Sequence, residues 1–274
     1  MKLLSVDIGL RNLAMCILDC GQSDIQIVRW DVVDLLPPAA CHKCTSARAV
    51  YALGDMLYCR KCANDDPSVV LPTPALLDAC KPPYNWELMY KRGLVFRDCK
   101  QTAASVKRAT ATRLLKVYKH RPAASVPLQE VASALDSKFE EFSRGHKFDL
   151  VAIENQIGPQ AIRMKAVQAM LTQLIVSGGW TRGWDRIVYV SAKDKLKECA
   201  GTKGKDYEGR KKLAVNICIA LLENSPAVAH WFQAFNAHPK KDDLADAYLQ
   251  GVVVAKSKGH SPPARWKDVM ARIT

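Results

Sequence analysis

Two cysteine pairs, Cys41-x2-Cys44 and Cys59-x2-Cys62, stand fourteen residues apart, and this spacing constrains the chain more than any other feature. Two such knuckles can place four thiolates at the corners of a tetrahedron. That arrangement suits structural Zn²⁺ and leaves no coordination position open for catalysis. A redox role is disfavoured because no thioredoxin-like βαβ pattern surrounds either pair. The composition changes after Pro37–Pro38, the cysteine-bearing segment ends near Asp65–Asp66–Pro67, and a proline-rich stretch, 72–83, follows. The segment therefore reads as an inserted unit with a linker behind it. Cys16, Cys20, Cys80, Cys99, Cys199 and Cys218 lie in apolar surroundings and are expected to be buried thiols, which points to a reducing compartment.

On either side of the insertion the pattern is α/β. KLLSVD (2–7), NLAMCIL (12–18) and IQIVRW (25–30) predict three consecutive strands of a meander. Val131, Leu135, Phe139 and Phe142 predict a helix over 127–144, before a buried-type strand FDLVAIE at 148–154. A helix (160–177), a strand IVYVS (187–191) and helices near 208–223 and 242–256 complete the alternation. The expected division is a core in two parts, 1–36 and 127–274, around a zinc-ribbon-like insertion (37–70) and a basic linker or helical arm (71–126).

The 274 residues carry 40 Lys+Arg against 27 Asp+Glu, a net charge of +13, and the surplus is local. Residues 91–121 hold ten Lys/Arg against the single acid Asp98, and residues 193–212 hold eight basic residues against four acidic. These two stretches account for the whole surplus, which excludes a diffusely basic, histone-like chain and predicts a polyanionic partner. Residues 102–120 predict a helix with Val106, Leu114 and Val117 on one side and Arg108, Lys116 and Lys119 in one stripe, suited to a phosphate backbone. No apolar run approaches the ~18 residues a membrane span requires. With no signal-type or Arg-rich leader ahead of the first strand, the expectation is a soluble intracellular protein, in host cytoplasm or nucleus if viral rather than in a mitochondrion.

The acids that carry chemistry are scattered in sequence. Asp7 ends the first strand at VDIG, Glu154 ends a later strand at VAIENQ, and Asp242, Asp243 and Asp246 open the last long helix in KKDDLADAY. Each alone has an ordinary explanation as a turn former or helix cap. If the strands bearing Asp7 and Glu154 are neighbours, however, four carboxylates converge, and such a cluster is costly unless divalent cations fill it. Two Mg²⁺ ions held by shared carboxylates would support phosphodiester hydrolysis.

SVDIGLRNLA, IENQ followed by RMKAVQAML, RKKLAV and KKDDLADAY, in this order on these elements, resemble the RuvC-like branch of the RNase H superfamily. The likeness is strongest to the Holliday-junction resolvases of poxviruses, other large DNA viruses and fungal mitochondria, and it covers residues 1 to about 36 and about 128 to 256. The resemblance implies an RNase H-like α/β fold, a mixed five-stranded sheet flanked by helices, here carrying the zinc-ribbon-like module and the basic arm. It also implies a metal-dependent endonuclease that resolves four-way DNA junctions and leaves 5′-phosphate and 3′-hydroxyl ends. By position, Asp7, Glu154, Asp243 and Asp246 would bind two Mg²⁺ ions, replaceable by Mn²⁺, with Asp242 as a participant. Lys212 in RKKLAV best matches the family's assisting basic residue, and Lys195 comes second. The helix bearing Met164, Val167, Met170, Leu171 and Leu174 would contribute to a homodimer, although a core-facing stripe has the same pattern.

The insertion and arm are not part of the minimal family fold, so their roles rest on physical grounds alone. The arm is expected to contact DNA through Lys107, Arg108, Arg113, Lys116 and Lys119, and the core through Lys195 and Lys211. The ribbon either extends that contact or serves as a fold staple or protein-contact module. Two rival readings have discriminating features. An actin- or sugar-kinase-type ATPase shares VDIG but needs a second Gly-rich loop where this chain has ENQIGPQ. A P-loop would need glycine at Cys199, and Gly204–Lys205 is followed by Asp206. A non-catalytic zinc-ribbon nucleic-acid-binding protein on the same core has no reason to keep all four acids.

Overall fold

The computed structural model describes residues 1–21, 24–36, 39–45, 48–119, 121–158, 161–196 and 206–272. The three N-terminal apolar runs form the expected antiparallel meander: β1 (Lys2–Ile8), β2 (Asn12–Cys20) and β3 (Ile25–Asp34). β2 is buried along almost its whole length, as a strand covered on both faces must be.

The chain divides into two units, one made of 1–36 with 123–274 and the other of 37–122. In the second unit β4 (Tyr51–Leu53) and β5 (Met56–Tyr58) form a hairpin that leads into α1 (Arg60–Asp65). The proline-rich stretch is not a linker. Thr73 caps α2 (Pro74–Ala79) by accepting from the Leu76 amide, with proline at the first helical position, where its missing N–H costs nothing. α3 (Trp86–Lys91) and α4 (Ala103–Thr112) follow, and Leu76, Met89, Leu94, Val95, Val106 and Leu114 make a small core with them.

The helix expected over 102–120 stops at Thr112. Beyond it the backbone is held by extended chain: Arg113 O accepts from Val70 N at 2.7 Å, and Leu115 N donates to Val70 O at 2.9 Å. β6 (Lys116–Val117) then joins the hairpin opposite Tyr51–Ala52. Leu114 and Leu115 enter different apolar clusters, which is the period-two alternation of a strand. Lys116 and Lys119 therefore share no helical stripe with Arg108, and Val117 is exposed. The ribbon and arm, expected as separate segments, are one unit, and Val126 belongs to the core of the other.

The larger unit continues with α5 (Leu128–Ser143), β7 (Leu150–Glu154), α6 (Ile162–Ser177), β8 (Ile187–Val190), α7 (Tyr207–Asn224), α8 (Phe232–Ala237), α9 (Lys241–Ser257) and α10 (Trp266–Arg272). Its sheet has the order β3-β2-β1-β7-β8, with β7 and β8 parallel to β1. α5 and α6 cover one face through Val131, Leu135, Phe139, Val167 and Leu171. α7, α9 and α10 cover the other through Leu213, Ile217, Leu249, Val252 and Trp266. This mixed five-stranded sheet between helical layers is the RNase H-like arrangement. On α6, Val167 and Leu171 are buried, and Met164, Met170 and Leu174 pack against the same cluster, so the stripe faces the core. No helix among the described residues is long and apolar enough to cross a membrane.

Candidate active site and metal centre

Register brings the first two acids together. β1 and β7 run parallel with Val6 opposite Ile153, so the next residues, Asp7 and Glu154, emerge side by side at the carboxyl ends of their strands. Crevices at the carboxyl ends of parallel strands are where α/β sheets place their ligands. Alternation decides the face: Leu3, Leu150 and Ala152 point to the side covered by α9, and Asp7 and Glu154 follow in the same phase.

α9 is held at a fixed height over this edge. Gln250, fully buried, donates from Nε2 toward Ser5 Oγ (3.2 Å), Val6 O (3.0 Å) and Ala152 O (3.2 Å), which ties the helix to both acid-bearing strands. Beside it Gly251 lets the helix approach closely. A Cβ there would lie 2.7 Å from Leu18 Cδ1 and 3.0 Å from Ser5 Cβ. At the other end of the helix Trp30 Nε1 donates to Leu244 O (3.0 Å). Asp243, Asp246 and Gln250 recur at helical spacing on one side, so pinning Gln250 also aims the two aspartates at the strand ends.

Lys195 stands among the acids. Its Nζ lies 2.7 Å from Asp7 Oδ1, 3.4 Å from Glu154 Oε1 and 3.6 Å from Asp246 Oδ2, with only 4% of its side chain exposed. Burial opposes its charge, but the three carboxylates more than offset this and raise its pKa. Burial likewise works against the Asp7 carboxylate, yet the Lys195 ammonium and a hydrogen bond with Glu154 hold it below the usual range. Glu154 goes the other way, pushed up to about 8 by burial and by the negative charge of Asp7. Asp246 rises to about 6, mainly through burial. Asp243 is raised by burial and by Asp242 and Asp7. Lys211 pairs with Asp242 at 2.7 Å. Among the described residues, five carboxyl groups thus face the Lys195 and Lys211 ammonium groups, with Lys240 lending a weaker pull on Asp243, and protons make up part of the remaining positive charge.

All four acids, with Asp242, come from distant segments to one end of the sheet. Lys212 does not join them: it is exposed on α7, and its neighbour Lys211 is the one turned toward Asp242. Three uncharged partners were not expected from sequence. Asn12 Nδ2 donates to Asp243 Oδ2 (3.2 Å), Gln156 Nε2 donates to Glu154 Oε2 (3.1 Å), and Gln250 positions α9. Asn12 and Gln156 sit inside SVDIGLRNLA and IENQ, the strings that carry the family resemblance. Gln250 had a weaker signal, one amide within the mainly apolar second half of the helix.

In the smaller unit the ligand atoms of Cys41, Cys44, Cys59 and Cys62 all lie within 4.8 Å of one another, the one such group of metal-ligating side chains found among the described residues. Cys44 Sγ and Cys59 Sγ are 3.9 Å apart. A tetrahedron with Zn–S arms of 2.3 Å has edges of about 3.8 Å. Cys59 caps α1 by accepting from Cys62 N at 3.4 Å. Burial opposes ionisation of Cys41, but backbone amides of Cys44, Cys59 and Lys43 bring its pKa down. Cys62, facing the other thiols, is pushed up to about 12. Without a cation the four cannot all ionise, so the donor set fits a thiophilic ion. Cys199 lies outside the described residues. Cys16, Cys20 and Cys218 are buried, whereas Cys80 and Cys99 are only partly so.

Lys107, Arg108, Lys116 and Lys119 are exposed and form no ion pair with a described residue. Arg113 is engaged: it donates to Ser68 O (3.4 Å) and Pro67 O (3.2 Å) and lies over the Phe96 ring at 4.8 Å.

No family model matches the sequence. No curated protein matches it either. Among solved structures, the chain is similar to the fowlpox virus resolvase in complex with its substrate Holliday junction DNA. The identity is 13% and the TM-score 0.42, over 94% of this chain and 99% of that one. It is also similar to Thermus thermophilus RuvC in complex with a Holliday junction substrate (9%, 0.42, 96% and 99%). A third is the yeast mitochondrial Holliday junction resolvase Ydc2 (12%, 0.37, 98% and 81%). These likenesses are loose, and the weight falls on the acids themselves.

Proposed function

We propose that the chain is a divalent-metal-dependent endonuclease that cuts branched DNA, with the four-way junction as its substrate. The observation that carries this reading is the convergence of Asp7, Glu154, Asp243 and Asp246, drawn from β1, β7 and α9, around one buried ammonium at the end of a sheet. A structural role gains nothing from crowding these acids, and Glu154 and Asp246 are both pushed well above their ordinary values, by burial first and then by the carboxylates beside them. The donors are all carboxylate oxygens, which suit Mg²⁺ or Mn²⁺ rather than softer metals.

Asp7, Glu154, Asp243 and Asp246 would hold the ions, with Asp242 at the margin. Bound there, a pair of such ions supplies activation of water and stabilisation of the departing 3′-oxygen, leaving 5′-phosphate and 3′-hydroxyl ends. Asn12 and Gln156 orient the carboxylates of Asp243 and Glu154, and Gln250 keeps α9 in register with the strands. Lys195 is the core's assisting cation: it already contacts three of the acids, which Lys212 does not, and can offset charge on a scissile phosphate entering the same space. Lys107, Arg108, Lys116 and Lys119 contribute phosphate contacts, and the four cysteines hold one structural Zn²⁺. Symmetric nicking of a four-way junction calls for a homodimer. Exposed Ile162 on α6 and Tyr189 on edge strand β8 are apolar surface available to such a partner.

The test is incubation of a labelled four-way junction with the purified chain and Mg²⁺, beside Asp243→Asn. Wild type is expected to nick opposing strands while the variant does not. Equal nicking by both, or tight binding with no cutting in Mg²⁺ or Mn²⁺, would refute the assignment.

A further inference from the structure

The smaller unit carries a second surface, distinct from its cysteine site and from the exposed lysines of α4 and β6. Residues 37–122 hold fifteen Lys/Arg against six Asp/Glu, so this unit contributes nine of the thirteen surplus charges. Within it, arginine guanidinium groups sit over aromatic rings. Arg113 covers Phe96 at 4.8 Å, and Arg97 covers Tyr90 at 5.4 Å. Phe96 and Arg97 are adjacent in sequence, so one backbone segment supplies a member of each pair. Trp86 extends the aromatic row, its ring 6.4 Å from that of Tyr90.

Tyr90 and Trp86 are partly buried and brace this row against the unit's apolar cluster, whereas Phe96 is not core. Phe96 is 64% exposed, and the unit's apolar cluster closes around Leu94, Val95 and Met89 without it. The covering guanidinium is fixed from behind, since Arg113 donates to the carbonyls of Ser68 and Pro67. Tyr90 is oriented by Gln101, whose Nε2 donates to its hydroxyl at 3.0 Å. Arg97 pairs with Glu87 at 3.1 Å, but both side chains are more than 70% exposed, and such a pair yields readily to a competing anion. A rigid, exposed ring backed by a cation, in a field of positive charge, is what an unpaired nucleobase stacks on while its phosphates meet Lys and Arg. Base-paired duplex offers no free base face to such a platform.

We infer that Phe96/Arg113 and Tyr90/Arg97 form a stacking platform for single-stranded nucleic acid. The site binds unpaired bases by their π-faces and the backbone by charge, so it is insensitive to base sequence. It requires no cutting by the carboxylate cluster.

The test uses the full zinc-loaded chain and a fluorescent oligo-dT, compared with a duplex of equal phosphate count, by anisotropy without added Mg²⁺. Phe96→Ala should weaken oligo-dT binding about 5- to 150-fold, the range of one lost base stack, and leave duplex binding within about twofold. Because no charge changes, its salt slope should match wild type. Phe96→Trp should retain binding and report it by fluorescence quenching. Circular dichroism and zinc content check that the variants fold. Equal losses on both DNAs, or no loss on oligo-dT, would overturn the platform. Asp243→Asn should bind oligo-dT as wild type does while failing to nick a junction, so failure of the nuclease assignment and failure of the platform are read separately.

Discussion

Lys195→Met is the perturbation with the clearest energetic consequence. The substitution keeps most of the apolar stem and removes an ammonium that is 4% exposed and within 3.6 Å of three carboxyl groups. Removing one partner of a buried ion pair typically costs about 3–5 kcal/mol, because the other is left uncompensated. For a unit of this size, where 1 kcal/mol moves Tm by roughly 2–4 °C, that corresponds to a fall of about 6–20 °C near pH 8. The cost depends on pH with a definite sign. Burial and the neighbouring carboxylates already push Glu154 up to about 8 and Asp246 up to about 6, above the usual carboxyl range. A raised carboxyl holds its proton more tightly folded than unfolded. It favours folding at low pH, and that contribution is lost as pH climbs from the unfolded value through the folded one. Without Lys195 both acids rise further, so the gap between variant and wild type should narrow toward about pH 5 and widen toward pH 8. Mg²⁺ should restore part of the variant's Tm at pH 8, since bound cation replaces the missing charge. Thermal denaturation across pH, with and without Mg²⁺, checks this. A variant as stable as wild type at pH 8, or one whose deficit is independent of pH, would refute the buried-cluster reasoning.

Gly251→Val should destabilise by about 1–3 kcal/mol through overpacking against Leu18 and Ser5 and should lower nicking further by displacing Asp243 and Asp246, as urea titration and the junction assay would show. Metal analysis should find about one zinc per chain, and Cys59→Ser should lose it and expose the smaller unit to proteolysis while the larger unit survives. Joint replacement of Lys107, Arg108, Lys116 and Lys119 by glutamine should reduce the slope of log affinity against log salt by up to ~3.6 for duplex arms, measured by anisotropy, and an unchanged slope would mean these residues face only solvent.

The core was legible because its signals are periodic. The three-strand meander, the helix bearing Val131 to Phe142 and the helix opened by Asp242 all lie within a few residues of where alternation or helical spacing placed them. What was not legible depended on contacts distant in sequence. The 102–120 segment has helical composition throughout, yet Val70 captures the backbone at Arg113 and Leu115, and β4 takes Lys116–Val117 into a sheet. The proline-rich stretch read as a linker because its prolines hide one helical turn whose Leu76 is buried. At the site, the acids could be found from their strand-end and helix-start positions. Their cation was only the second choice, since RKKLAV offers three adjacent basic residues that put Lys212 first, and only the fold shows Lys211 on Asp242, Lys212 in solvent, and Lys195, from another segment, among the acids.

The central claim is that Asp7, Glu154, Asp243 and Asp246 act as one metal-holding set. It is tested most directly by single neutralisation of each, Asp7→Asn, Glu154→Gln, Asp243→Asn and Asp246→Asn, with junction binding and Mg²⁺-dependent nicking measured on the same preparations. Each variant should bind the junction at least as tightly as wild type, because negative charge has been removed, and should lose nicking by orders of magnitude. A variant among the four that nicks at the wild-type rate would contradict the account.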